Sequence, residues 1–440
     1  MRFFALLFAC ILSAADQPAK VFPLAYDQHD LANGLRLVTI PTDYPNVVAL
    51  YIVVQTGSRN EVEPGKSGFA HLFEHMMFRG TKNIPAAKYE EILKEAGAAS
   101  NASTSDDLTV YHITFSKEDL ETMLRIEADR FQHLEYTPAA FKTETLAVLG
   151  EYNKNSSSPM RKLDEVMRNT AFDSHTYKHT TMGFLEDVKN MPNLYDYSRE
   201  FFERYYKPEY TTILVVGDVK TPAVKSLVEK YWATWEHGSY KPQIPAESKQ
   251  AAPRNAHVDW PTPTPPWVVI GFKGPAYSDT DKDQAALDIL GYLGFSANSD
   301  LYQRLVIQDQ KVDVLEPENP DHVDPFLFQV VARVKKSADM KGVEEQIQST
   351  LNGFKDTLVS AERLDAVKRH LKYQFALGMD NSEAIASTLS NFIALRRTPE
   401  TVNRVYGLYD QITPEDLRSV ARKYLVESGR TVVTLSGPTK

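Results

Sequence analysis

Apolar positions recur along this chain with two different periods, and the switch between them marks out its elements. Residues 35–40, 49–57 and 108–115 are short β-branched and aromatic runs that predict strands. Long segments between them carry the three-to-four-residue spacing of helices. The two kinds follow no regular βαβ order, so the pattern predicts an α+β fold with antiparallel sheets. The pattern also repeats. Residues 197–218 (YSREFFERYYKPEYTTILVVGD) read as a helix followed by a strand ending in Gly, and residues 417–437 (LRSVARKYLVESGRTVVTLSG) read the same way. Tyr205 then matches Tyr424 and Gly217 matches Gly437, an offset of about 220 residues. Near the front of each half, ALYIVVQTG at 49–57 resembles WVVIGFKG at 267–274. A repeat this long predicts two tandem homologous domains, each an antiparallel β-sheet packed with helices. Residues 237–266 hold Pro242, Pro245, Pro253, Pro261, Pro263, Pro265 and Pro266 with little periodicity and read as a linker. That leaves 16–236 and 267–440 as the domains.

Residues 1–15 stand outside this pattern. Arg2 supplies one positive charge, an apolar run follows to Leu12, and Ser13, Ala14 and Ala15 offer a small-residue cleavage site. This is the layout of a secretory signal peptide, so the chain is expected to be exported to a periplasm or the extracellular space. The run is too short to span a bilayer, and no other segment is long and apolar enough. Cys10 keeps a lipid anchor open as the alternative. It is the one cysteine of the chain, so cleavage after Ala15 removes disulfide and thiol chemistry together. Composition is otherwise that of a globular protein, 42% hydrophobic and 24% charged. The net charge of −9 is spread along the chain, which leaves nucleic acid and anionic membranes without electrostatic support as partners.

Candidate chemistry concentrates in one short segment. Residues 68–78 (GFAHLFEHMMF) predict a helix between Ser67 and Gly80 in which apolar residues surround three polar ones. At helical pitch His75 lies about 40° from His71 and Glu74 about 60° to the other side, so all three share one face of one turn. Burying two imidazoles and a carboxylate together is costly without compensation. A zinc ion provides it, with two neutral imidazoles as ligands and the carboxylate near the open position. The order H-x-x-E-H is a hydrolase signature. A third ligand is needed, and a carboxylate is one option. Thr137 and Pro138 open a second helix that runs to about Lys154 and places Glu144, Val148 and Glu151 on one face. Spacing alone leaves open whether that face meets the His helix or is solvated. His175 and His179 repeat the i, i+4 spacing, but turn-forming residues surround them and they read as a loop. His112 lies within a strand and reads as a packing residue. Serine-nucleophile, Walker and dinucleotide motifs are absent.

Over most of its length the chain resembles the pitrilysin/insulinase family of zinc peptidases, in its short form akin to the mitochondrial processing peptidase β subunit. The resemblance is carried by the strand at 49–57, by Gly57, Arg59 and Glu61 in the following loop, and by the inverted motif at His71, Glu74 and His75. It continues through residues 97–107 with Asn101, Ala102 and Thr104, through His175, Tyr177 and Gly183 with Thr176 in place of the usual Pro, and through Tyr206, Pro208, Gly217 and Asp218. The resemblance implies that His71, His75 and Glu151 hold Zn²⁺. It further implies that Glu74 is the catalytic acid and base, that Glu144 supports the ligands from behind, and that Asn101 contacts an extended peptide substrate bound as an added strand.

One departure from the family pattern stands out. Relatives carry an Arg and a Tyr that polarise the scissile carbonyl, in a segment resembling S-x-L-x-x-x-L-R-E-x-x-G-L-A-Y. Here Ser299, Leu301 and Leu305 fit its start, but Val306 stands at the Arg position and residues 308–315 (QDQKVDVL) lack the Gly-Leu-Ala-Tyr. Tyr302 and Arg304 are near but displaced. The resemblance therefore implies a homo- or hetero-oligomer in which a homologue supplies the Arg and Tyr. A non-catalytic assembly or peptide-binding subunit, and a metal hydrolase of another substrate class, are the alternatives.

Overall fold

In a computed structural model, residues 20–438 are described; the expected signal segment at 1–15, with Cys10, lies outside them. The apolar runs of the first half become β1 (Asp27–Asp30), β2 (Arg36–Pro41), β3 (Val47–Val54), β4 (Ala99–Thr104), β5 (Thr109–Ser116) and β6 (Thr211–Gly217). They form one sheet in the order β1-β2-β6-β3-β5-β4. The second half contributes β7 (Arg254–Asp259), β8 (Trp267–Lys273), β9 (Val312–Glu318), β10 (Leu327–Val334) and β11 (Arg430–Ser436), ordered β7-β11-β8-β10-β9. Apart from β1, the second sheet repeats the first strand for strand at an offset of about 220 residues.

Two sequence expectations need correction. Neither sheet is wholly antiparallel, because β2 runs parallel to β6 and β7 runs parallel to β11. Parallel neighbours need a long crossover, and the strands and helices between each pair supply it. The segment read as a linker also contributes β7 to the second sheet. Its sequence, RNAHVD, half-buries alternate residues against one face, and its polar positions and the prolines around it hid the strand.

Six helices shape the site and the seam between the halves: α1 (Phe69–Met76), α2 (Pro138–Asn155), α3 (Pro159–Ala171), α4 (Asp283–Phe295), α5 (Ala361–Leu377) and α6 (Ser382–Arg396). One face of each sheet packs on helices of its own half, giving two separate cores. The other face is equally apolar, since β3 and β6 read as unbroken hydrophobic runs, as strands buried on both sides do. That second face is covered by a helix from the opposite half. Ile385, Leu389 and Ile393 of α6 pack on Tyr51, Val53 and Leu214, and Leu163, Met167 and Ala171 of α3 pack on Val269, Val331 and Val433. Each fully buried aliphatic side chain contributes about 1.5–3 kcal/mol.

Polar contacts close the same seam. Asp106 accepts hydrogen bonds from Ser58 Oγ and from Arg168, each at 2.8 Å, and its Oδ2 lies 2.8 Å from His322 Nε2 of the second half. Burial alone would raise the pKa of Asp106, but Arg168 and His322 hold it well below the usual carboxylate range. The other nitrogen of His322 lies 3.1 Å from the Pro320 carbonyl oxygen. With acceptors at both nitrogens, the ring is built to be an imidazolium. Burial opposes that charge, yet the bond and charge of Asp106 outweigh it and raise the pKa above 6.5. The stabilisation from His322 is therefore complete below about pH 6.5 and lost as pH rises through the folded value. Urea denaturation at pH 6 and pH 8.5 should show wild-type stability falling with pH, and the fall should shrink in His322→Gln by about 1.4 kcal/mol per unit of raised pKa. Equal pH dependence in the two proteins would contradict this assignment.

Candidate metal centre

Helix α1 starts from a shaped loop. Gly68 has φ +92°, and a Cβ there would meet the Met182 carbonyl oxygen at 3.0 Å. The two oxygens of Glu61 accept the amides of Gly68 and Ala70, both at 2.7 Å, and so satisfy donors that the first helical turn leaves open. Glu61 is fully buried, which pushes its pKa up to about 8 against those bonds. Phe69, Leu72, Phe73 and Met76 anchor the helix in the first core, with Phe73 stacked on Phe201. His71, Glu74 and His75 are left on the other face.

Helix α2 begins as expected, with Thr137 Oγ1 accepting from the Ala140 amide at 3.2 Å and Pro in the first turn. Val148 is buried between the two carboxylates of interest. The open question of which way its face points is answered: it meets α1. Oε2 of Glu151 lies 3.6 Å from His71 Nε2 and 3.5 Å from His75 Nε2. The three ligand atoms all fall within 4.8 Å of one another. Bonds of about 2.0–2.2 Å around a tetrahedral ion separate its ligand atoms by about 3.3–3.6 Å, so the donor set fits zinc. The spacing is too long for hydrogen bonds to hold the group together. His71 Nδ1 is buried without a partner among the described residues, and Nε2 is the nitrogen that faces the other donor atoms.

Protonation states follow from the surroundings. Burial lowers the pKa of His71, which keeps the ring neutral and able to ligate. His75 Nδ1 lies 3.6 Å from Glu144 Oε2, and that carboxylate raises the His75 pKa against the effect of burial. Glu144 is itself buried, which favours its neutral form, but His75 and an ion pair with Arg79 hold its pKa down. A carboxylate behind a ligating imidazole is the arrangement that fixes ring orientation.

Glu74 receives a hydrogen bond at Oε2 from Thr104 Oγ1, 2.7 Å away on β4. Among the described residues that strand is the edge of its sheet, paired only with β5. Asn101 lies on the same strand and is exposed, with Oδ1 accepting the Ala102 amide at 2.9 Å. Alternation along a strand sends its side chain to the face opposite Thr104, so the structure does not bring Asn101 to the His and Glu side chains. It stands across from His112, whose ring stacks on Tyr51 at 4.9 Å.

His175 and His179 do not converge. Nε2 of His175 lies 3.0 Å from Asp324 Oδ2, and Nδ1 of His179 lies 3.0 Å from the Thr180 carbonyl oxygen. Both are buried, in a short turn that joins the two halves rather than in an open loop. Sequence reasoning missed Arg79, and it placed Thr104 in the segment that carries the resemblance without giving it a role. The i, i+4 step from His75 to Arg79 was the available signal for Arg79, whereas only the folded sheet reveals the partner of Thr104. Arg304 is exposed and lines a different cavity, with Leu293, Thr350 and Arg363, that none of the His or Glu residues reaches.

Comparisons with known proteins identify the family. Residues 36–184 match the family described as Insulinase (Peptidase family M16), and residues 194–371 match the Peptidase M16 inactive domain. The zinc protease PqqE of Helicobacter pylori is 30% identical over 434 residues, covering 96% of this chain and 95% of the relative. The mitochondrial-processing peptidase subunit beta of Caenorhabditis elegans is 24% identical, covering 96% of this chain and 92% of its own. The crystal structure of a protease from Helicobacter pylori superposes with a TM-score of 0.87 at 29% identity, covering 94% of this chain and 99% of that one. With both halves matched and a relative this similar along nearly its whole length, the chain belongs to peptidase family M16, the insulinase family.

Proposed function

We propose that the chain is an exported zinc-dependent endopeptidase that hydrolyses peptide bonds in extended peptides and works with a partner subunit. The observation that carries this reading is the set of three ligand atoms, from His71, His75 and Glu151, within 4.8 Å of one another beside Glu74. Zinc held there supplies Lewis-acid polarisation of a carbonyl and lowers the pKa of water to about 7. Glu74 takes the proton of the attacking water and returns it to the leaving amine. The Thr104 hydroxyl engages Oε2 of Glu74, which orients the carboxylate and leaves Oε1 for that proton. Glu144 holds the His75 ring in place. Substrate adds as a strand along the open edge of β4, where Asn101 contacts it, and this mode selects extended segments over folded ones.

Residues 1–15 carry the export signal in this reading. No helix among the described residues is long and apolar enough to cross a membrane. A homologue that keeps the Arg and Tyr missing from residues 306–315 would complete the carbonyl-polarising side of the site. The same gap, with Arg304 exposed in a separate cavity, favours a second reading: a non-catalytic subunit that retains the fold.

Metal analysis of the purified wild-type protein should find one zinc per chain. Glu74→Gln should retain the metal and lose about 100- to 10,000-fold in peptide cleavage, whereas Glu151→Gln should lose both. Zinc in wild type and Glu74→Gln with cleavage by neither would support the non-catalytic reading. Glu144→Gln should weaken zinc affinity by about 10- to 100-fold in a competition titration with a chelator. Co-purification with an M16 homologue that carries the Arg and Tyr should raise the cleavage rate by about 100- to 1,000-fold. No gain over this chain alone would count against the partner.

A further inference from the structure

Beyond the metal cluster, the open edge of β4 borders a cavity of about 670 Å³ between the outer face of the first sheet and α6 of the second half. Tyr51, Ser103, Thr104, His112, Glu383 and Ser387 are among its walls. Glu383 is exposed at the start of α6. No Lys or Arg lines this cavity among the described residues. Burial lowers the pKa of His112, with Glu383 a weaker opposing influence, so the ring is neutral at physiological pH. The helix end does not offer itself to an anion, because Asn381 Oδ1 already takes the Ala384 amide at 2.9 Å. The stacked rings of Tyr51 and His112 add an aromatic wall.

Strand geometry connects this cavity to the site. Side chains of a peptide paired with β4 would alternate between the two faces of the sheet. Those on the side of Thr104 look toward Glu74, while those on the side of Ser103 face the cavity that Glu383 lines. Thr104 borders both places.

We propose that this cavity is a substrate subsite for a lysine or arginine side chain, with Glu383 as the residue that selects it; this rests on the peptidase reading above. The stem of the basic side chain lies against Tyr51 and His112, and its cationic head meets Glu383, an ion pair flanked by a cation–π contact. The two halves of the chain thus build the subsite together, the first giving the edge strand and the second giving the charge.

Two measurements separate this proposal from the peptidase reading. Cleavage by the wild-type protein tests the reading itself. Binding of fluorescent extended peptides to Glu74→Gln, followed by anisotropy, tests the subsite whether or not cleavage occurs. A lysine placed at successive positions should bind about tenfold more tightly than norleucine, and only at positions of one parity along the strand. Glu383→Gln should bring that ratio close to one, and Glu383→Lys should turn the preference toward glutamate. The native circular dichroism spectrum of each variant would show that the fold is kept. Equal binding of lysine and norleucine peptides at every position, or a lysine preference that both substitutions leave intact, would overturn the assignment.

Discussion

Each half of this chain makes a sheet that is apolar on both faces but has its own helices for only one of them. The hydrophobic effect is non-directional and scales with the area removed from water, so the uncovered face of β3, β5 and β6 must find a cover wherever the chain can provide one. The opposite half provides it. Helix α6 lies on the first sheet and α3 on the second, in two clusters that join residues far apart in sequence. This exchange brings the loop containing Asp106 against His322, which places a buried, charged set of hydrogen bonds at the seam. It also places Glu383 beside the edge strand. The halves are homologous in sequence and interdigitated in space.

Duplication has been followed by specialisation. Helix α4 follows β8 as α1 follows β3, but nearly all of α4 is buried and it carries no His pair. Asp288 on this helix is half-buried. The carboxyl accepts from Tyr409 at 2.6 Å and from Asn319 at 2.7 Å, and burial raises its pKa to about 7. Where the first half turns His71 and His75 toward Glu151, the second satisfies its own polar group internally. The second half also holds the displaced segment around Arg304, wound as a π-helical turn at Gln303–Gln308. A turn of that kind shifts the angular position of the residues after it.

Much of this was legible in the sequence because it is local. The face shared by His71, Glu74 and His75, the cap at Thr137 and the 220-residue repeat are all set by spacing along one helix or by direct comparison of two stretches. Glu151 lay at the limit, since helical spacing paired it with Glu144 while its meeting with α1 depends on tertiary packing and entered through resemblance. Contacts between distant polar loops were invisible. His175 and His179 read as a loop because Asp173, Ser174 and Thr180 surround them, yet Asp324 and Phe326 of the second half pack against His175 and Tyr177. β7 was missed for a related reason: an edge strand buried on one side needs few apolar residues, and RNAHVD has few.

The short turn between α2 and α3 joins two different attachments. Helix α2 presents Glu151 to the His pair, and α3, starting at Pro159 after a turn at 156–158, is pressed into the sheet of the other half. The pair thus ties the sheet of the second half to the helix that carries Glu151, the residue proposed above as the third ligand. Any rocking of one half against the other would reach the site along this path, against the hold that Phe141, Val148 and Tyr152 give α2 in the first core. Coordination strength would then register the relative posture of the two halves.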